Sequence, residues 1–284
     1  MTKAFIVGHP IKHSRSPLVH GYWLKQYGLS GSYERIDVAP EDLDEFLVSF
    51  WSLGFVGGNI TIPHKEATFD FLDNKTERAQ RVGAVNTLWY DDKGIELWGD
   101  NTDVLGFMAN LDLSLGTGWD QDVDTALILG AGGAARGIVA GLQDRSLKRI
   151  VIANRTLAKA QDLVRELESY STVKLQAVAW DEVENALPAS QLIVNTTSLG
   201  MAGQPPLLLD LARAPGNAVV TDVVYVPLRT PLLAAAEAHG LRTVDGLGML
   251  LHQAVPGFER WFGVRPEVTP DLRALIVADL EAGR

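Results

Sequence analysis

Hydrophobic positions along the chain fall into short runs separated by stretches of helical spacing, and this alternation persists from end to end. Runs of four to eight apolar residues between turn signals predict strands, and apolar steps of three and four predict helices covering them. In the first hundred residues "KAFIVG", "YERIDV" and "GGNITI" are predicted strands. Leu43, Phe46, Leu47, Phe50 and Trp51 share one face of a predicted helix. "NTLWYDDKGIELWG" predicts a hairpin whose turn lies at Asp91 to Gly94. A second series starts at "TALILGAGGAARGIVAGL" and runs through "RIVIANRT", "LIVNTTSLG" and "AVVTDVVY" to "RTVDG". Leu250, Ala254, Phe258, Trp261 and Phe262 then mark a helix expected to kink at Pro256, and Leu272, Leu275, Ile276 and Leu280 mark a last one. Strands alternating with helices throughout predict an α/β protein with parallel sheets.

Composition narrows the reading only slightly. The 284 residues suit two domains, and 46% apolar with 21% charged residues describes an ordinary soluble protein. No apolar stretch reaches the ~18 residues of a membrane span, and the N-terminal run is cut short by Gly8, His9 and Pro10, so it predicts a strand rather than a signal peptide. The absence of cysteine suits a cytoplasmic setting. A net charge of −10 disfavours a nucleic-acid partner, while leaving room for a local pocket that holds a small anion. His9 and His13 are four apart, but Pro10 argues against a helix there and no acidic ligand adjoins them, so no metal site is expected.

"LILGAGGAARG" places Gly130, Gly132 and Ala135 in a GxGxxA pattern between a strand and a helix. Gly130 permits the tight turn, Gly132 lets the backbone approach a pyrophosphate, and the small Ala135 lets the helix pack on the strand. Glycine-rich helix starts also occur without a nucleotide; the flanking strand and helix favour the dinucleotide reading. Some ~20 residues on, where an NAD enzyme carries an acid for the ribose, this chain has Arg155 within "IANRT". A guanidinium there pairs with the 2′-phosphate of NADP, with Asn154, Thr156 and Lys159 as helpers; the plain alternative is a solvated surface arginine.

Polar residues elsewhere suggest a second anion site. In "HSRSPLVHGYW", Ser14 and Ser16 are two apart, so an extended segment points both hydroxyls the same way. Pro17 suits the first helical position, which makes Ser16 either a simple N-cap or, with Ser14, part of a carboxylate site. In "GGNITIPHK", a strand sends Ile60 and Ile62 to the core and Asn59 and Thr61 to the opposite face. If Pro63 begins a helix, Lys65 lies in its first turn, where the dipole opposes a cation; a locally disfavoured residue of this kind points to function. "GAVNTL" and "GDNTDVLGF" add Asn86 and Asp103, the latter expected at a helix start.

Together, "GHPIKHSRSP", "GGNITIPHK", "GAVNTL", "GDNTD", "GAGGAA", "NRT", "NTTSLGM", "DVVYVPLRTPLL" and "DGLGMLLHQA" make the chain resemble the shikimate dehydrogenases over nearly its full length. The resemblance implies reduction of 3-dehydroshikimate to shikimate with NADPH, on the route to aromatic amino acids. It implies an N-terminal α/β substrate domain, residues 1–105 completed by 247–284, and a Rossmann-like doubly wound NADP-binding domain at 106–246. Lys65 and Asp103 become the catalytic pair. By the same resemblance, Ser14 and Ser16 are expected to hold the substrate carboxylate, and Asn59, Thr61, Asn86, Asp103, Tyr225 and Gln253 to surround the ring hydroxyls. Gly130, Ala131, Gly132, Gly133, Ala134, Asn154, Arg155, Thr156 and Lys159 are expected to bind NADP, with Val223, Gly246 and Met249 near the nicotinamide and Glu77 as a further cofactor candidate. A monomer or homodimer with small-molecule ligands, and no membrane or nucleic-acid partner, is expected. The alternatives are a quinate or amino-analogue dehydrogenase using NAD(P), and a non-catalytic NADP-binding paralogue. A related two-domain folate dehydrogenase also uses a lysine, but "HSRSP" and "NTD" point away from it.

Overall fold

A computed structural model describes residues 1–91 and 93–282. The chain divides into two compact units, residues 1–106 with 251–284, and residues 107–250.

The first unit begins with β1 (Thr2–Gly8), α1 (Ser16–Gln26), β2 (Gly31–Asp37), α2 (Leu43–Ser49), β3 (Phe55–Ile60) and α3 (Lys65–Phe71). It continues through β4 (Asn74–Lys75), α4 (Glu77–Val82), β5 (Thr87–Tyr90), β6 (Leu97–Asp100) and the start of α5 (Asp103–Leu115). Its sheet has the order β2-β1-β3-β5-β6-β4. β1 is parallel to both β2 and β3, whereas β5 is antiparallel to β3 and β6, so this sheet is mixed rather than parallel. The predicted hairpin forms between β5 and β6; of its expected turn, Asp92 lies outside the described residues.

Alternation along β1 supplies two cores. Phe5 and Val7 join Phe46, Phe50, Ile60 and Leu88 on one face, and Ala4 and Ile6 join Tyr33 and Trp261 on the other. Two apolar expectations fail here. Trp51 is 47% exposed because α2 ends at Ser49, and Ile62 is 76% exposed because β3 ends at Ile60, after which strict alternation lapses.

The second unit holds β7 (Thr125–Leu129), α6 (Gly133–Leu142), β8 (Arg149–Asn154), α7 (Leu157–Glu168), β9 (Lys174–Ala179) and α8 (Val183–Ala186). β10 (Leu192–Asn195), β11 (Val219–Asp222), α9 (Pro231–Ala238) and β12 (Arg242–Val244) follow. α10 (Leu247–Phe262) then begins, running through Pro256 without a break, and α11 (Pro270–Ala282) is the last helix. All strand pairs of the second sheet are parallel, in the order β12-β11-β10-β7-β8-β9. Helices cover both faces, which explains why β7 reads as an unbroken apolar run: Ala126 and Ile128 enter one core, Leu127 and Leu129 the other. Strand order reverses between β7 and β10, the switch point where open α/β sheets bind ligands beyond the strands' carboxyl ends.

Candidate functional site

In the first unit the loop after β1 and the N-terminus of α1 carry the paired serines. The intervening Arg15 is in the α region (φ −92°, ψ −6°), so the segment is not extended. Arg15 is the cap residue, because its carbonyl accepts the first helical bond from Val19, and Ser16 becomes the first helical residue instead of the cap. Ser14 Oγ accepts from the Ser16 amide at 3.3 Å. Arg35 fixes this loop with two bonds to the Ser14 carbonyl, at 3.0 and 2.7 Å.

Lys65 opens α3, two residues beyond Pro63, which lies in a preceding turn and not at the helix start. Lys65 Nζ donates to Asp103 Oδ2 at 2.5 Å, and Asn86 Nδ2 donates to Asp103 Oδ1 at 2.9 Å. The lysine and aspartate side chains are 29% and 23% exposed, so the pair is held by protein yet open to an incoming molecule. Asn86 also approaches Gln253 Oε1 at 3.4 Å, while its own Oδ1 accepts from the Thr102 amide at 2.7 Å and from the Thr87 hydroxyl at 2.9 Å. Those contacts leave the Asn86 amide one orientation, nitrogen towards the carboxylate. Asn59, buried on β3, donates to the Asn86 carbonyl at 3.0 Å and Thr87 Oγ1 at 3.1 Å. Thr61, half-buried just past β3, donates its amide to the Val7 carbonyl at 2.9 Å.

Lys65, Asp103, Asn86, Gln253 and Asn59 thus form one connected group. Glu77 does not join it; it is exposed at the first turn of α4, where a carboxylate complements the helix dipole. A cavity of about 530 Å³ in this unit, lined in part by Arg78, Trp89, Thr102 and Arg260, reaches neither Lys65 nor Asp103. Among the described residues no group of three His, Asp or Glu side chains is placed to hold a metal ion.

Three contributors were not singled out from sequence. Thr87 and Thr102 lock Asn86, and Tyr33 Oη donates to Asn59 Oδ1 at 2.6 Å. The Thr87 and Thr102 hydroxyls sit inside the "GAVNTL" and "GDNTD" strings themselves; Tyr33 is distant in sequence and carries no local signal.

In the second unit the turn after β7 lies at the switch point. Gly130 has φ +112°, and a Cβ there would stand 2.6 Å from Thr196 Oγ1, so only glycine fits. Thr196 ties the two central loops together by donating to the Leu129 carbonyl from its amide (2.9 Å) and its hydroxyl (2.8 Å). Gly132, Gly133 and Ala134 are exposed, nothing lies within 4 Å of where either glycine would carry a Cβ, and Ala135 is fully buried. α6 therefore presents free N–H groups, with no acidic residue in its first turn. Asn154 Nδ2 donates to the Thr156 carbonyl at 2.9 Å, shaping the loop in which Arg155 is exposed, and Lys159 is exposed on the first turn of α7.

Val223, Gly246 and Met249 also come together in this unit. A Cβ on Gly246 would meet the Val223 carbonyl oxygen at 2.5 Å, and Val223 and Met249 pack on the same core. Behind them Asp222 is buried and accepts from Asn195 Nδ2 (2.8 Å), the Val224 amide (2.9 Å) and the Thr230 hydroxyl (2.8 Å). Burial pushes its carboxyl up from the usual range, the three donors opposing that shift. Tyr225 is half-buried in this unit.

A parallel sheet of this strand order, with a glycine turn at its reversal, defines a Rossmann-type α/β protein. Residues 6–88 match the family model described as shikimate dehydrogenase substrate binding domain, 117–204 that of shikimate / quinate 5-dehydrogenase, and 246–276 that of the shikimate 5′-dehydrogenase C-terminal domain. A curated shikimate dehydrogenase (NADP(+)) of Chelativorans sp. (strain BNC1) is 56% identical over 282 residues, covering 99% of this chain and 98% of that one. Among solved structures, the shikimate 5-dehydrogenase of Thermus thermophilus, in complex with NADP(H) and shikimate, is 32% identical with a TM-score of 0.84, covering 99% and 100% of the two chains. The quinate dehydrogenase of Corynebacterium glutamicum in complex with NAD is 31% identical with a TM-score of 0.89, covering 98% and 99%. The chain belongs to the shikimate dehydrogenase family.

Proposed function

We propose that the protein is an NADP-dependent oxidoreductase that interconverts 3-dehydroshikimate and shikimate, in the cytoplasm and in the service of aromatic amino acid biosynthesis. The observation that carries this reading is the 2.5 Å contact between Lys65 Nζ and Asp103, within a chain 56% identical to an NADP-dependent shikimate dehydrogenase. When bound, NADPH supplies a hydride. Lys65 gives the matching proton to the ketone oxygen, and takes it back from the hydroxyl in the reverse direction. Asp103, with both carboxylate oxygens engaged, orients that amine and accepts from a substrate hydroxyl. Asn59, Thr61, Asn86 and Gln253 read the ring hydroxyls together with Tyr225, and Ser14 and Ser16 receive the carboxylate near the positive end of α1.

The first unit is proposed as the substrate domain and the second as the cofactor domain. The residues of the second unit fit a dinucleotide: the Gly130 turn, the free N–H groups of α6 for a pyrophosphate, and the exposed Arg155 and Lys159 for a 2′-phosphate. Val223, Gly246 and Met249 are proposed to border the nicotinamide. Glu77 is proposed, from the family resemblance, as a further cofactor contact.

The quinate dehydrogenase likeness supports a second reading, since one ring substituent changes without altering these motifs. Absorbance assays of NADP and NAD reduction, each with shikimate and with quinate, separate the two. Highest kcat/KM for shikimate with NADP is expected; a preference for quinate or for NAD displaces the first reading.

A further inference from the structure

Tyr33 lies on β2 opposite Ala4, and Asn59 on β3 opposite Ile6, so both side chains project from the same face of the sheet, across β1. The phenol oxygen reaches Asn59 Oδ1 at 2.6 Å. Which way the Asn59 amide faces is decided by its other neighbours. The Asn86 carbonyl, already accepting from the Ile60 amide at 2.9 Å, cannot donate, so the amide nitrogen must turn towards it, its second hydrogen going to Thr87 Oγ1. Oδ1 is thereby left facing Tyr33, and the phenol must be the donor. Both amide hydrogens and one of the two Oδ1 lone pairs are consumed by protein.

The phenol is well fixed for this task. The His20 ring stacks on it, with centroids 3.9 Å apart and planes within 9°. The Ser16 side chain adjoins its hydroxyl, and burial pushes the phenol well above its usual range, so its proton stays in place.

We propose that Tyr33 is a positioning residue that holds Asn59, already turned by Asn86 and Thr87, as an acceptor for a substrate hydroxyl. The proposal rests on the reading above that Asn59 lines the substrate site. It adds a specificity rule: at that position the site takes a hydroxyl, which donates, and disfavours a carbonyl or ether oxygen, which cannot.

Tyr33→Phe removes one oxygen while keeping the stacked ring. Loss of one hydrogen bond to the reading group is expected to raise the KM for shikimate roughly three- to tenfold, leaving the KM for NADP as it was. The decisive measurement is a double-mutant cycle with Asn59→Ala, or with Asn59→Ser if the alanine variant does not fold, folding being checked by circular dichroism. Acting through Asn59, Tyr33→Phe has no further effect on shikimate KM once Asn59 is replaced. An equal and additive effect in both backgrounds overturns the proposal, as does an unchanged KM in Tyr33→Phe where the Asn59 variant raises it. If neither variant alters shikimate KM, Asn59 does not read the substrate, and the site assignment fails together with the inference built on it.

Discussion

Lys65 and Asn86 hold opposite oxygens of the same carboxylate: Nζ meets Asp103 Oδ2 at 2.5 Å and the Asn86 amide meets Oδ1 at 2.9 Å. Asp103 at the start of α5 therefore has no rotational freedom left, and the amine is aimed by a fixed anchor. With the proton donor removed, Lys65→Ala is expected to lower turnover by about 10²–10⁴-fold, the usual size of a general acid-base contribution. Initial rates of shikimate oxidation test this, and near-normal turnover in a folded variant removes Lys65 from the chemistry.

Cofactor choice is proposed to depend chiefly on Arg155, exposed in the loop after β8. Its replacement by alanine should reduce the preference for NADP over NAD by one to two orders of magnitude, matching a charge-assisted contact of roughly 1.5–3 kcal/mol. The ratio of kcat/KM for the two cofactors is the readout. Unchanged selectivity assigns the 2′-phosphate to some other group.

His20 is buried among Trp23, Tyr33, Phe258 and Trp261, and neither ring nitrogen meets a hydrogen-bond partner. Burial lowers its pKa to about 3 from 6.5, the Asn59 side chain acting in the opposite direction. Below pH 6.5 the unfolded chain takes up a proton on this ring while the folded chain does not. The unfolded state then binds more protons, so stability is full above pH 6.5 and falls towards pH 3 by ~1.4 kcal/mol per pH unit from this residue. Thermal melts between pH 7 and 4.5 should show a shallower pH slope in His20→Leu than in the parent; parallel slopes contradict the assignment.

Asp222 joins the loops after β10 and β11 to the start of α9, its three donors coming from Asn195, Val224 and Thr230. Asp222→Ala strands all three inside the protein and should cost about 3 kcal/mol or more, at roughly 1 kcal/mol or more each. Asp222→Asn keeps one acceptor oxygen and should lose less. Urea unfolding curves decide, and equal losses in the two variants sink the account. The sign of its pH linkage is opposite to that of His20: a carboxyl raised in the fold adds stability below its ordinary range, which is lost as pH climbs through the raised value.

The second sheet was legible in sequence because both of its faces are covered, so its central strands are nearly unbroken apolar runs bounded by glycine and asparagine. β9 was not legible: as an edge strand it alternates exposed Lys174 and Gln176 with Leu175 and Ala177, a weak signal over six residues. Polar residues of the first unit stood out singly, Lys65 as a cation at a helix start and Asp103 as an acid at another, and both positions are as expected. Their pairing follows from the family resemblance and not from local pattern, since it depends on how α3 and α5 meet across 38 residues of chain. Ser16 was misplaced by one position because backbone geometry at Arg15, which no residue type dictates, decides where α1 begins. Tyr33 and His20 carry no local signal, because an aromatic in a strand and a histidine in a helix look like core, and their polar atoms matter only once Asn59 is adjacent.

Trp261 donates its indole N–H to the Leu88 carbonyl at 2.8 Å, a bond spanning 173 positions. One unit is thus assembled from both ends of the polypeptide, while the other is an uninterrupted stretch. On the ribosome the middle of the protein emerges whole and is free to mature first, whereas the half that begins translation waits for its closing helices. The unit proposed to recognise the substrate is thus closed only by residues made after the whole of the unit proposed to hold the nucleotide.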